Sequence, residues 1–492
     1  MMKNWKKIAV LLVVLVIFVA AFIFLTMNQG KPGTPDNTAS PTVSPSASID
    51  EVELVDIARD DISKIILKRE DGDIVLTKEE REIEKLNQKS DGTTEKVKEK
   101  VKVWVTSAFD VDSSKVDDIA LAADTATTGR LIEENPKDIT IYGLDKALVT
   151  TFASADGREI SLEIGDKTPT GDKYYVRKAG TLPVYTLDSY KGDSLRLGKF
   201  DIMNKNLYGS EALTIDDMTA MALTKNGGKV FEAKQSGDSE WQITAPVERK
   251  ADLNELSKFL SWLVEFRVSD YIEENPANLK TYGLDKPLYV FDFTLGGKTY
   301  SLKLGTLKES SYYAQMDGNP VVFTISSSTL TFVDTPVIDL LDTFVYIPTI
   351  YDVEKLVIEL DGRVDELLIK SEQEDTSKEE FTFNGKKMEG DDNVTLFKRY
   401  YQGAIGISGE KLDLTATPSG KAFAKLTYTM EEAKPDKIVT IELIPTQDGY
   451  GYYLVKNGQY TGMVMGERKL DDESMGIRPA YKNLMDGLAK TP

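Results

Sequence analysis

The sequence predicts an α+β protein, in which an N-terminal transmembrane helix is followed by tandem repeats of antiparallel β-meander units, each packed with a helix. Two observations carry this prediction. One run of 18 apolar residues lies close to the N-terminus. A 17-residue segment also occurs twice, at 132–148 and 272–288, and keeps the frame I-E-E-N-P-x5-Y-G-L-D-K-x-L. Self-similarity at a fixed period is typical of tandem structural units.

Composition limits the chemistry that the chain can perform. Its 492 residues include no Cys and no His, and the formal net charge is −20. Thiol chemistry, disulfides and the usual zinc, copper and haem ligands are therefore excluded, as is the commonest proton-transfer group near neutral pH. The acidic balance disfavours nucleic acids as partners. We predict no catalytic residue, no cofactor, no metal site and no nucleic-acid partner.

The N-terminus is predicted to anchor the protein in the lipid bilayer. Residues 1–7 hold three lysines and no acid, and residues 8–25 are all apolar. A helix over 8–27 approaches the thickness of the hydrocarbon core, and the apolar run is longer than in a cleaved signal peptide. Because the lysines come first, the positive-inside rule predicts a cytoplasmic tail at 1–7, a signal-anchor helix at 8–27 and an extracytoplasmic bulk on the cell membrane. Residues 28–50, rich in Pro, Ser and Thr, are predicted to form a disordered linker.

Three repeat units are predicted after the linker, at 51–210, 211–348 and 349–492. Each begins with two β runs joined at a D-G or G-G turn, which is the strongest local signal for a hairpin. These turns are predicted at Asp71-Gly72, Gly227-Gly228 and Asp361-Gly362. Tyrosine pairs recur 138 and 140 residues apart, which favours three units over two. The pairs are Tyr174-Tyr175, Tyr312-Tyr313 and Tyr452-Tyr453.

A tryptophan-bearing strand and a helix are predicted next. Trp104 and Trp241 each lie in a short strand pattern. Residues 79–102 are almost wholly charged or polar, and we predict an exposed helical or disordered excursion there. In the second unit Asp252 is the expected cap of a helix with one apolar stripe, and Ser114 leads into its counterpart in the first unit.

The repeated segment comes after the helix. Its Asn-Pro pair is predicted to open a short helical turn, its glycine to end the turn at positive φ, and its Tyr and Leu to pin the turn to the sheet. These motif residues are Asn135, Pro136, Tyr142, Gly143 and Leu144, and Asn275, Pro276, Tyr282, Gly283 and Leu284. A meander of four strands is then predicted in the first two units, and each unit is expected to close on a helix, at 188–197, 326–341 and 471–488.

The repeated segment, together with the stretch G-D-K-T-P-T-G-D-K-Y-Y-V-R at 165–177, resembles the bacterial domain family DUF4340. The resemblance covers residues 61–347 as two clear copies, and the third unit, which lacks the segment, is a degenerate copy. The resemblance implies a membrane-anchored extracytoplasmic protein of the kind that often accompanies ABC-type export systems associated with gliding motility. It implies a location and an architecture rather than an activity.

Several residues are weaker candidates for a site. An aromatic stacking surface for sugars or a partner would use Trp104, Trp241, Tyr174, Tyr175, Tyr312 and Tyr313, although their repetition at unit spacing favours core packing. The adjacent carboxylates Glu133-Glu134 and Glu273-Glu274 are the candidate pairs for glycan hydrolysis, but neighbouring residues seldom face one cleft. Ser408 and Lys411 match S-x-x-K without the companion motifs of acylating enzymes.

These observations favour a non-enzymatic, membrane-anchored accessory or scaffold protein of an ABC-type export system. The alternative is an extracytoplasmic binding or sensor module for a cell-wall polymer, peptide or lipid. That alternative predicts a concave pocket lined by Trp or Tyr at a unit boundary. A carboxylate-dependent hydrolase of wall glycans is a more remote alternative.

Overall fold

The computed structural model describes residues 51–90, 94–124, 129–209, 211–237, 239–371, 378–431, 434–435 and 437–490. The predicted tail, signal-anchor helix and linker, residues 1–50, lie outside these ranges. Within the described ranges, no helix combines the length and the apolar character needed to cross a membrane.

Three antiparallel sheets of nine strands each make up most of the described chain, together with six α-helices. The first sheet contains β1 (Glu51–Val52), β2 (Ile62–Arg69), β3 (Gly72–Gln88), β4 (Thr94–Val105), β5 (Gly129–Glu133), β6 (Leu148–Ser154), β7 (Glu159–Lys167), β8 (Lys173–Lys178) and β9 (Val184–Asp188). The second contains β10 (Met218–Lys225), β11 (Gly228–Gly237), β12 (Glu240–Ala245), β13 (Arg249–Lys250), β14 (Tyr271–Glu274), β15 (Tyr289–Leu295), β16 (Lys298–Lys308), β17 (Ser311–Met316) and β18 (Val321–Ser326). The third contains β19 (Val353–Leu360), β20 (Arg363–Lys370), β21 (Glu380–Phe383), β22 (Lys386–Lys387), β23 (Lys411–Leu412), β24 (Ala424–Met430), β25 (Ile438–Pro445), β26 (Gly451–Lys456) and β27 (Gln459–Gly466). The helices are α1 (Ser113–Asp124), α2 (Ser189–Leu195), α3 (Lys199–Ile202), α4 (Leu253–Glu265), α5 (Asp391–Ile405) and α6 (Ile477–Lys490).

The order of the strands repeats from sheet to sheet. The second sheet runs β13-β12-β11-β10-β15-β16-β17-β18-β14, and the third runs β22-β21-β20-β19-β24-β25-β26-β27-β23. The first runs β4-β3-β2-β6-β7-β8-β9-β5, with β1 added beyond β5. Each sheet thus joins a hairpin to a four-strand meander and ends on a short strand that precedes the meander in sequence. The predicted tandem repeat is confirmed.

The three hairpins share one pattern of burial. In β2, β10 and β19 the first, fourth and sixth residues are buried. The pairing with the meander shifts register just after the first residue of each strand, and such an irregularity re-aims the following side chains. The first two turns are centred on Glu70-Asp71 and Asn226-Gly227, one residue earlier than predicted, because Arg69 pairs with Gly72 and Lys225 with Gly228. The third is centred on Asp361-Gly362, as predicted.

One long helix packs against one face of each of the first two sheets, and α5 and α6 both pack against one face of the third. We call the opposite face the outer face. In the second sheet, Asp252 caps α4 as predicted, because its carboxylate accepts a hydrogen bond from the Asn254 amide at 2.8 Å. The buried side of α4 presents Phe259 and Trp262 to the core, and burying aromatic side chains of this size stabilises a fold by about 2–3 kcal/mol each. In the first sheet, the cap of α1 is Asp112, which accepts from the Ser114 amide at 3.0 Å.

Two predictions of secondary structure are wrong. Residues 79–88 and 94–102 belong to β3 and β4, whose pairing we call the charged ribbon, and do not form a helical or disordered excursion. Lysine and glutamate face each other across it, with Lys85 at 2.6 Å from Glu99, and cross-strand pairs of opposite charge stabilise a β-ladder. Residues 326–341 contain only two short 3₁₀ turns. Pro336, which cannot donate a backbone hydrogen bond, stands directly before the second turn.

The connector between the second and third sheets pairs with both of them. Leu341 forms a β-bridge with Ala251, and Phe344 forms one with Ser408. The Arg249 guanidinium also donates to the carbonyl oxygen of Phe344 at 3.0 Å. A connector that is hydrogen-bonded on both sides leaves few backbone groups free to rearrange, so this junction holds the two sheets in one arrangement.

Candidate functional site

The repeated segments, which we call the N-P segments (135–144 and 275–284), lie on the outer faces of the first two sheets. Tyr142 and Leu144 form a small buried cluster with Val184, separate from the main core. Tyr174 belongs to the main core, whereas its neighbour Tyr175 packs on this small cluster. Because successive strand residues point to opposite faces, the segment covers the face away from the helix. Tyr282, Leu284 and Val322 form the matching cluster of the second sheet.

The motif tyrosine of each N-P segment makes the same two contacts. The Tyr142 ring meets that of Tyr175 edge-on at 4.9 Å between centroids, and the Tyr282 ring meets that of Tyr313 at 5.0 Å. The Tyr142 hydroxyl donates to the Glu133 carboxylate at 2.7 Å. Tyr282 donates to Glu273 in the same way, and this hydrogen bond raises the pKa of Tyr282 to about 12. The first glutamate of each I-E-E frame is therefore a structural acceptor.

Two glycines for which the sequence predicted no role, Gly165 and Gly305, hold the N-P segments in place. A Cβ on Gly165 would lie 2.1 Å from the Tyr142 carbonyl oxygen, and one on Gly305 would lie 2.1 Å from that of Tyr282. Only glycine permits so close an approach. Each of these glycines follows its motif glycine by 22 residues, which is the signal that could have identified them.

The predicted role of the motif glycine is confirmed, whereas that of the Asn-Pro pair is wrong. Gly143 and Gly283 end the turns at φ values of 64° and 70°. The turns begin at Thr140 and Leu279 rather than at the prolines. In the first segment the Asp138 carboxylate accepts from the Thr140 amide at 2.9 Å. The Asn-Pro pairs, Asn135-Pro136 and Asn275-Pro276, instead follow β5 and β14, where a proline cannot continue the strand because it has no backbone N–H to donate.

The candidate binding aromatics are packed against other side chains. Trp104, Trp241 and Tyr174 are between 2% and 7% exposed. Tyr175 and Tyr313 lie beneath the N-P segments. Tyr312 packs edge-on against Tyr289 at 6.1 Å. This packing favours the core role over a stacking surface, because burial of large aromatic rings in the sheets uses the area that a ligand would need.

The two carboxylates of the second pair contact different partners, and the serine and lysine of the S-x-x-K match do not bond to each other. Glu273 accepts from Tyr282 while Glu274 forms an ion pair with Lys199, so the two carboxylates serve different partners, as expected for neighbours on a strand. The buried Ser408 hydroxyl accepts from the Lys469 ammonium at 2.9 Å rather than from Lys411. No group of three or more Asp or Glu side chains within the described part of the chain is arranged to hold a metal ion.

A concave recess of about 510 Å³ lies at the boundary between the first two sheets, and we call it the junction recess. Its lining includes four aromatic rings and three side-chain amides. The rings are those of Phe109, Tyr208, Tyr271 and Tyr300, and the amides are those of Asn204, Asn206 and Asn319. The Tyr271 hydroxyl donates to the Asn204 carbonyl and the Tyr208 hydroxyl to the Leu263 carbonyl. Burial raises the pKa of both phenols, so they stay protonated. The half-buried rings of Phe109 and Tyr300 present the apolar surface beside the amides.

The junction recess is held together by contacts between the two sheets. The ion pair of Lys199 with Glu274 joins α3 to β14. The Val268 amide donates to the Lys205 carbonyl at 3.0 Å. A recess built on two hydrogen-bonded elements is preformed, as ligand pockets usually are.

Comparison with known proteins identifies one family. The family model of a domain of unknown function, DUF4340, matches residues 104–287 and 241–395, which together exceed half of the chain. No significant match was found among curated proteins or among solved structures.

The matched residues follow the repeat but differ in extent from the predicted 61–347. Both matches begin at the tryptophan of a hairpin-flanking strand, Trp104 in β4 and Trp241 in β12. The first runs past the second N-P segment, and the second reaches into α5 of the third sheet. The chain therefore belongs to the DUF4340 family and carries two copies of that domain.

Proposed function

We propose that the protein is a membrane-anchored, extracytoplasmic accessory or scaffold protein of an ABC-type export system and that it acts by binding, not by catalysis. The observation that carries the proposal is the pairing at the junctions. The connector at 341–346 is bonded to the second and third sheets, through Ala251 and Ser408 among others. At the first junction, Lys205 and Lys199 contact Ser269 and Glu274 across the boundary.

A series of sheets fixed in this way suits a scaffold for a physical reason. Association costs free energy for every segment that must be ordered on binding, and a preorganised surface avoids that cost. The net charge of −20 adds a long-range preference for basic surfaces on a partner. The predicted apolar run at 8–25 would hold this surface beside membrane subunits.

Purification from membranes in a mild detergent after crosslinking tests the proposal. We expect transporter subunits to be recovered with the full-length chain. The Arg249→Ala variant, which loses the hydrogen bonds to the Asp342 and Phe344 carbonyls, should recover fewer of them. Arg130→Ala, at an exposed arginine of β5, is the matched control. Recovery of the protein alone, with no crosslinked transporter subunit, would count against the proposal.

The junction recess supports a second candidate function, an extracytoplasmic binding or sensor module for a cell-wall polymer. Aromatic faces beside amide groups are the chemistry that recognises sugar rings. A thermal-shift assay of the full chain with purified wall fragments tests this. Fragments should raise the melting temperature of the native protein and of Tyr190→Ala, an exposed tyrosine outside the recess, but not of Tyr300→Ala. No shift with any fragment would exclude this function.

A further inference from the structure

The third sheet carries a cavity that none of the functions above uses. It has a volume of about 560 Å³ and lies between α5, α6 and the connector, and we call it the helix-pair cavity. Its apolar lining includes Phe344, Ile347, Ile405 and Met475, and its polar lining includes Arg399, Gln402 and Asn483. This volume is in the range of small-molecule sites.

The packing of the two helices places these groups at opposite ends. A Cβ on Gly403 would lie 2.9 Å from the Ile477 Cα, and one on Gly406 would lie 3.5 Å from the Met475 carbonyl oxygen. At the other end, a Cβ on Gly487 would meet Leu396. The helices therefore run antiparallel. Arg399 and Asn483 fall at one end of the cavity, and Met475 with the connector residues falls at the other.

The polar end has a positive charge without a protein partner. Within the described part of the chain, the exposed Arg399 guanidinium makes neither an ion pair nor a hydrogen bond, whereas the adjacent Lys398 is paired with Glu379 at 2.7 Å. Gln402 lies one helical turn after Arg399 and Asn483 lies on the facing helix. An unpaired guanidinium flanked by two amides is suited to bind a carboxylate through two parallel hydrogen bonds.

The apolar end leaves hydrophobic surface in water. Ile347 is 51% exposed and Met475 is 55% exposed, and both line this cavity. Exposed apolar side chains gathered in a polar-rimmed concavity are typical of a ligand site. Glu473 lines the cavity from the loop that leads to Met475, so an anionic group is disfavoured at this end.

We propose that the helix-pair cavity binds a linear amphiphile with one anionic head, of the medium-chain fatty carboxylate class. The carboxylate pairs with Arg399, and the chain runs along α5 toward Ile347 and Met475. The seven residue-to-residue steps from Arg399 to Gly406 span about 10 Å at the rise of an α-helix, which matches an extended chain of medium length. This ligand site goes beyond the accessory role and does not depend on it.

Equilibrium dialysis with decanoate tests the proposal on the full chain in nanodiscs of neutral lipid, with empty nanodiscs as the background. Decanoate should bind about tenfold more tightly than decanol, because a hydrogen-bonded charge pair contributes that much. Arg399→Gln should abolish this preference while leaving decanol binding unchanged. Ile347→Ser should weaken the binding of both probes. Arg130→Gln, an exposed arginine in the first sheet, should bind as the native protein does.

Three results would overturn the proposal. The first is decanoate binding no stronger than to empty nanodiscs. The second is an equal affinity for decanoate and decanol in the native protein. The third is a decanoate affinity that Arg399→Gln leaves unchanged, since the carboxylate would then be held elsewhere.

Discussion

The first two sheets and the third differ in what covers the outer face of the meander. In the first two, the pairing of the second and third meander strands shifts register after Ile164 and after Leu304, and the glycine at each shift admits an N-P segment. In the third sheet, β25 pairs with β26 without a shift, and Ile444 stands opposite Tyr453. The Tyr453 ring packs edge-on against Tyr460 at 5.6 Å instead of against a motif tyrosine.

This difference indicates that the N-P segment and the glycine beneath it belong together in the fold. The segment needs a strand without a side chain at the point of contact, and Ile444 supplies a side chain there. The third sheet is stabilised on its other face instead, by α5 and α6 and by a buried carboxylate. Asp365 is 2% exposed and accepts hydrogen bonds from Tyr400 at 2.8 Å and Asn384 at 3.0 Å.

The largest effect is expected from breaking the network that belongs to the third sheet alone. Asp365 also pairs with the half-buried Arg363 at 3.1 Å. Asp365→Ala would leave Arg363 with Asp361 as its remaining carboxylate partner and would remove the acceptor of the buried Tyr400 hydroxyl and of the Asn384 amide. We expect a loss of about 4 kcal/mol in the free energy of unfolding, since a buried polar group left without its partner costs about 1–3 kcal/mol, measured by chemical denaturation. Asp486→Ala, on the exposed side of α6, should leave the unfolding midpoint unchanged. Equal effects of the two substitutions would contradict this assignment.

A smaller loss is expected from adding a methyl group where the N-P segment docks. In Gly305→Ala the Cβ would meet the Tyr282 carbonyl oxygen, so the segment must move, at a cost of about 3 kcal/mol. Ile444→Ala at the matching position of the third sheet only trims a half-buried side chain, at a cost of about 1 kcal/mol. If Gly305→Ala lowers the free energy of unfolding no more than Ile444→Ala does, the close approach of Gly305 to the Tyr282 carbonyl does not hold the N-P segment in place.

The tyrosine–glutamate hydrogen bond should contribute less and should depend on pH. Tyr282→Phe is expected to cost about 1.5 kcal/mol near neutral pH, and Tyr453→Phe in the third sheet should cost less. Since the hydrogen bond to Glu273 raises the pKa of Tyr282 to about 12 in the folded protein, its contribution is complete below pH about 10, the ordinary value for tyrosine. It is lost as the pH rises toward 12. Chemical denaturation of the native protein and of Tyr282→Phe should show that their difference in the free energy of unfolding shrinks between pH about 10 and about 12. A difference that stays constant over this interval would refute the assigned hydrogen bond.

The smallest effect concerns the charged ribbon, which only the first sheet has. Lys96 at its far end pairs with Asp217 of the second sheet at 2.9 Å. Both side chains are partly exposed, so Lys96→Ala should cost about 0.5 kcal/mol at low salt and less in 1 M salt. Lys98→Ala, which loses a pair within the ribbon, is the control for the contact between sheets. If the loss of stability in Lys96→Ala is the same at low and high salt, Lys96 stabilises the protein through packing rather than through its ion pair.

Local patterns predicted most of the strands. The hairpins and meanders contain many side chains that alternate with period two, and the four-strand meanders predicted after the N-P segments are present in the first two sheets. The ribbon was mistaken for a helical or disordered stretch because charge dominates its composition. Its alternation was nevertheless present, with Lys96, Lys98 and Lys100 on one face. β24 and α5 of the third sheet were not predicted.

Contacts between residues distant in sequence were out of reach of pattern analysis. The approach of Gly165 to Tyr142 depends on how the N-P segment folds back over a strand. The junction recess and the helix-pair cavity each join side chains from several elements, such as Phe344 with Asn483. The sequence places Trp104 and Trp241 in strands. Which face of the sheet each side chain occupies depends on how those strands pair.

The location of the three sheets is the part of this account on which the proposed function depends most. Because the chain contains no cysteine, single-cysteine variants can be labelled in cells with a membrane-impermeant maleimide without background from the protein. We predict that Ser310→Cys, at an exposed turn of the second sheet, is labelled in intact cells. Asn4→Cys should be labelled only after permeabilisation. Protection of Ser310→Cys in intact cells would contradict the account, because the sheets would then not face the outside.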